Sequence, residues 1–120
     1  MKLNNTTNIN ETKVSLFYRG VAPRALWHSL VALQIGKLQH LASIASAKIT
    51  FERQRQSTPP WRVHAVLEVP GPDFHAEASD YTWSAALLKL AANLRRQMQS
   101  RKHRQLNRRK NDSRLLPLSR

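Results

Sequence analysis

The chain has 120 residues, 41% of them hydrophobic, no cysteine, and 20 Lys and Arg against 7 Asp and Glu, a net charge of +13. That length supports one modest core, and that apolar fraction excludes wholesale disorder. The missing cysteines exclude disulfides, thiolate metal sites and a cysteine nucleophile, while the charge marks a chain drawn to polyanions and is silent about fold. No apolar run reaches the ~18–20 residues of a membrane span. The opening MKLNNTTNINETK has neither a signal-peptide core nor the Arg-rich pattern of a transit peptide, so a cytoplasmic location is expected.

Residues 1–12 are rich in Asn and Thr without apolar periodicity and read as a flexible leader. Residues 13–19 (KVSLFYR) alternate, with Val14, Leu16 and Tyr18 on one face and Ser15, Phe17 and Arg19 on the other, the pattern of a half-buried strand. Gly20 and Pro23 end it, and Pro23 suits the first turn of a helix. From there to about Leu41 the spacing predicts a helix with a broad apolar face of Leu26, Leu30, Leu33, Leu38 and Leu41 beside Trp27, Val31 and Ile35.

Three alternating stretches follow, carrying Ala47, Ile49 and Phe51, then Trp61, Val63, Ala65, Leu67 and Val69, then Phe74, Ala76 and Ala78. They are separated by the polar QRQSTPP and the tight Pro70-Gly71-Pro72, so they predict an antiparallel meander. Asp80 or Thr82 can cap a second helix, which places Trp83, Leu87, Leu90, Ala91, Leu94 and Met98 within an arc of about 100°. The order β-α-β-β-β-α predicts an α+β two-layer sandwich, a four-stranded, mostly antiparallel sheet with both helices on one face. The folded domain spans residues 13–106, and residues 107–120 read as a disordered basic tail.

The second helix changes character along its length. Ten of the 20 basic residues lie in residues 95–120, where Asp112 is the one acid. Lys89, Arg96 and His103 share one row of the helix, Arg95 and Lys102 a second, and Arg101 and Arg104 point in the remaining directions. A merely solvated face mixes signs at i and i+4, which this one does not. Arginine, whose planar fork can grip phosphate with two bonds, outnumbers lysine. Arg19 and Arg24, flanking the first strand–helix turn, are further candidates for phosphate. Trp61 and Trp83 fall on core-facing positions, whereas Phe17 is the better candidate for an exposed ring.

Catalysis finds no support: the acids are scattered, the three glycines form no phosphate loop, and no Ser-His-Asp signature occurs. The five histidines lack ligand spacing; His64 and His75 sit on outer faces of adjacent strands, where they can approach each other, but with no carboxylate expected nearby they make a poor metal site. No cofactor, metal or small-molecule substrate is therefore expected.

The run AVLEVPGPDFHAEASDYTWSAALLKLAANLRRQM resembles the ribosome hibernation-promoting factors and ribosome-associated inhibitor proteins, also called sigma-54 modulation proteins. The resemblance rests on Gly71, His75, Ala76, Ala78, Ala85, Ala86, Leu87, Leu94, Arg96, Gln97 and Met98, and extends loosely over residues 13 to about 105. Thr82-Trp83-Ser84 stands in place of the family's usual Asp-Met-Tyr, and Asn93 in place of its usual Lys. The resemblance implies the same β-α-β-β-β-α fold. It also implies binding to small-subunit rRNA near the decoding region, where mRNA and tRNA sit, and silencing of ribosomes in resting or stressed cells. The chain resembles the short type, which lacks a ribosome-pairing domain, and a monomer off the ribosome is expected. A regulator acting on DNA or other RNA is the rival reading. Anionic lipid is a weaker one, since the basic helix has no aromatics opposite its charges.

Overall fold

A computed structural model describes residues 5–9 and 12–115, with side chains over 12–108. Seven elements follow in order: β1 (Asn5–Ile9), β2 (Thr12–Arg19), α1 (Ala25–Leu38), β3 (Ser46–Arg53), β4 (Trp61–Glu68), β5 (Phe74–Asp80) and α2 (Trp83–Leu115). The strands form one sheet in the order β1-β2-β3-β4-β5. β2 and β3 are parallel, joined by the α1 crossover, and every other neighbouring pair is antiparallel.

The expected β-α-β-β-β-α core is present, with Val14, Leu16, Ala47, Ile49, Phe51, Val63, Ala65, Leu67, Phe74 and Ala76 all buried on one sheet face. Trp27, Val31, Ile35 and Leu38 of α1 cover that face, as do Ala86, Leu87, Leu90, Leu94 and Met98 of α2. At one end the aromatic rings converge on Trp27. Its centroid lies 5.0 Å from Phe51, 5.6 Å from Trp61 and 4.5 Å from Trp83. Trp61 and Trp83 are thus packing residues, as their positions predict.

Three expectations need correction. The supposed leader contains β1, which pairs along β2 from Asn5 opposite Leu16 to Ile9 opposite Thr12. What forms it is the backbone edge of β2, whose hydrogen-bonding groups need partners whatever the side chains are. The folded unit also begins at Thr12. This buried hydroxyl donates to Ile44 O at 2.6 Å and accepts from Gln39 Nε2 at 2.8 Å, tying β2 to both ends of the α1–β3 loop. At the other terminus α2 continues to Leu115, so the predicted tail is helical over residues 107–115. That stretch has no Gly or Pro to interrupt a helix. The rest of the predicted leader and tail lies outside the described residues.

The third correction concerns α1. Its apolar face is narrower than eight residues: Leu26 is 65% exposed and Leu33 54%. The sheet and α2 reach Trp27, Val31, Ile35 and Leu38, about a third of the helix surface, and the outer leucines lie beyond both.

Candidate nucleic-acid interface

α2 is held firmly at its start. Thr82, not Asp80, caps it: the Thr82 hydroxyl accepts from Ala85 N at 3.2 Å. Asp80, at the end of β5, instead binds Lys89 Nζ at 2.9 Å and accepts from Tyr81 N at 2.6 Å. The Lys89 hydrogen bond, then that of Tyr81 N, holds the Asp80 carboxyl below the usual carboxylate range. Lys89 also donates to Ser79 O at 3.4 Å. Its charge is therefore matched within the fold.

About two helical turns further, Gln97 docks the helix to the β5 edge, donating to His75 O at 2.9 Å and to Asn93 Oδ1 at 2.9 Å. Asn93, where the resembling family has Lys, thus serves as an acceptor that orients Gln97. Past Met98 the core-facing position passes to Arg101. Its guanidinium lies 3.7 Å from the Phe74 ring centroid and donates to Pro72 O at 2.8 Å. Arg101 thereby closes the core and fastens the β4–β5 hairpin to the departing helix. It lines, with Leu41, Val69, Pro70, Met98 and Lys102, a notch of about 210 Å³ where α2 leaves the sheet.

Beyond Met98 no α2 side chain among the described residues is buried. The 33-residue helix is about 50 Å long, so roughly its last 25 Å stand clear of the sheet. Lys102, His103, Arg104 and Arg108 are all exposed there, as are Arg95 and Arg96 on the outer side of the last packed turn. Arg104 donates to Ser100 Oγ at 3.2 Å, a contact that leaves its charge unmatched. No carboxylate pairs with any of these six among the described residues.

The candidate residues separate into three groups. Arg95, Arg96, Lys102 and Arg104 stand free on several sides of the same stretch of α2. Lys89 and Arg101 are engaged with β5 and the hairpin. Arg19 and Arg24 lie at the opposite end of the molecule, beside the α2 N-terminus. Arg19 faces Glu52 across the β2–β3 ladder, and the Arg24 guanidinium sits 5.7 Å from the Trp27 ring. Arg101 and the start of α2 are separated by about 27 Å of helix, so Arg19 and Arg24 form no single patch with the free cations. His103 and Arg108 extend that free stretch; their rows on the helix were the available signal.

The sheet's outer face is a different surface. Arg62 pairs with Glu77 at 3.1 Å and Glu52 at 4.0 Å. Contrary to the expectation of no carboxylate near the histidines, His64 lies opposite Glu77 in the β4–β5 register, with His75 opposite Val66, and Phe17 is half-buried in the same row as His64. No group of three His, Asp or Glu able to hold a metal occurs among the described residues. Nor is any described helix long and apolar enough to cross a membrane.

Comparison with known proteins agrees with this architecture. The family model for sigma 54 modulation protein / S30EA ribosomal protein matches residues 16–106. Among solved structures, the N-terminal domain of Thermus thermophilus Protein Y superposes with a TM-score of 0.61 at 17% identity, covering 77% of this chain and 96% of that one. A ribosomal subunit interface protein from Coxiella burnetii gives 0.60 at 17% identity, covering 73% of this chain and 97% of that one. No curated protein matches in sequence.

Proposed function

The chain belongs to the sigma 54 modulation protein / S30EA ribosomal protein family, and we propose that it is a ribosome-associated inhibitor of translation which grips small-subunit rRNA with the free half of α2. On this reading it occupies the path of mRNA and tRNA and silences ribosomes in resting or stressed cells. The observation that carries the reading is the unpaired surface of Arg95, Arg96, Lys102 and Arg104, on a helix that projects beyond its own fold. Folded RNA offers phosphate on several walls of a groove and is recognised mostly through shape and backbone. A rod that is cationic on several sides suits such a groove, and each phosphate it neutralises releases counterions. Lys89 and Arg101 act as positioning residues that fix where the rod leaves the sheet.

Co-sedimentation with purified small subunits tests the reading directly. The native protein should travel with the subunit and suppress translation in a cell-free system, and the Arg95→Glu/Arg96→Glu/Lys102→Glu variant should do neither. A native protein that stays in the supernatant would exclude the proposal. Competition between rRNA and duplex DNA separates it from a DNA-directed regulator, for which DNA would win.

A further inference from the structure

The exposed leucines of α1 are not scattered. α1 and α2 run side by side in the same direction, with Trp27 and Trp83 in contact at one end. Val31, Gln34, Ile35 and Leu38 face Leu87, Leu90, Ala91 and Leu94 along the crevice between them. Gln34 fixes which flank of α1 looks toward α2, and Leu30, Lys37, Leu26 and Leu33 follow it outward on that flank within about 100°. On α2, Ala91 likewise marks the α1 side, and Arg95 and Leu88 lie within about 60° of it. The two helices thus form an open groove on the side away from the sheet.

Three of the five large apolar side chains most exposed among the described residues line this groove: Leu26 at 65%, Leu33 at 54% and Leu88 at 58%. They occupy its first half, and Lys37 and Arg95 occupy its second. Neither helix carries an acid before Asp112. RNA would use the cations and leave the leucines wet. A lipid surface is flat, whereas the leucines line the facing slopes of two helices whose axes pack about 8–10 Å apart. We infer that the α1–α2 groove is a docking site for an acidic amphipathic protein helix, its apolar residues on Leu26, Leu30, Leu33 and Leu88 and its carboxylates on Lys37 and Arg95. The charge pattern carries the choice of partner: a groove with cations and no carboxylate complements an acidic segment and repels a second copy of this chain.

The test uses a fluorescein-labelled 16-residue peptide with Leu at i, i+3, i+4 and i+7 spacing and Glu or Gln elsewhere, and a scrambled peptide of the same composition. Anisotropy titrations of the full chain should give at least 10-fold tighter binding for the striped peptide. Leu33→Ser/Leu88→Ser, at exposed positions, should remove that preference while leaving rRNA affinity unchanged. Lys37→Glu, on the basic half and away from the core, should weaken the striped peptide several-fold. Equal binding of both peptides would reduce the effect to net charge and overturn the site. So would rRNA affinity that falls with the leucines, or binding to vesicles with 30% anionic lipid that the leucine variant loses while the striped peptide never binds. Because the leucines lie outside the proposed RNA surface, failure here leaves that proposal standing, and failure there leaves this one.

Discussion

The two outer surfaces of this protein treat charge in opposite ways. On the sheet, Glu52 and Glu77 flank Arg62, so cations and carboxylates cancel across neighbouring strands. On the helical layer there is no acid between Ala25 and Leu38, nor in α2 before Asp112, and among the described residues no cation of α2 from Arg95 onward meets a carboxylate. A net charge of +13 is thus concentrated rather than spread. The difference separates two jobs of charged residues: the sheet uses them to keep a polar face soluble and in register, and the helical layer holds a field ready for an external anion.

The most direct way to break the comparison is to reverse charge on one surface at a time. Arg95→Glu/Arg96→Glu/Lys102→Glu should weaken rRNA binding on the order of 100-fold and flatten the dependence of log Kd on log salt by about 2–3. Reversing Lys13, Arg19 and Lys48 on the sheet face removes as much positive charge. It should cost less than about 10-fold, since those residues act only through the distant field. Filter binding across a salt series reads both, and equal losses would show that net charge alone governs binding.

A stability change that touches neither surface provides the control. Gly20 turns the chain out of β2 at φ +73°, and a Cβ there would meet Arg53 O at 2.6 Å. Gly20→Ala should cost about 1–3 kcal/mol of folding stability in denaturant melts, with the salt dependence of rRNA binding unchanged below the transition.

The core strands and both helices were legible because each buries one face, so Val14, Leu16, Ile49, Phe51, Leu90 and Leu94 repeat with the period of their element. β1 and the last turns of α2 were not, because backbone pairing and helix propagation leave no apolar period to read. Leu26 and Leu33 misled for the converse reason: leucine at helical spacing looks the same whether a neighbour covers it or not. The basic half of α2 was visible as charge. The sequence could not say which cations the fold engages, since the contacts of Arg101 with Pro72 and Phe74 span nearly 30 positions of chain.

Arg101 therefore sharpens the comparison from inside the helical layer. If it positions the rod, Arg101→Gln should weaken rRNA binding by about 3–10-fold and lower thermal stability by the loss of one exposed cation–π contact and one hydrogen bond, about 1–2 kcal/mol. The salt dependence should keep its slope. A phosphate contact would instead take about 1 from that slope, so a flattened line would move Arg101 from the hinge to the interface.

The smallest effect is expected at Asp80, the one carboxylate that pairs with a cation of the helical layer among the described residues. Its folded carboxyl titrates below the ordinary range, so the contribution of the Lys89 contact is present above the unfolded carboxylate pKa and fades as pH falls through the lower folded value. Acid melts of the native protein and of Asp80→Asn should accordingly differ at neutral pH and converge in strong acid. The same substitution frees the Lys89 cation without adding a residue to α2. If a free cation anywhere on the helical layer strengthens the grip, rRNA affinity rises by up to about twofold. If only those from Arg95 onward reach RNA, it stays constant, and the interface begins at the last packed turn of α2.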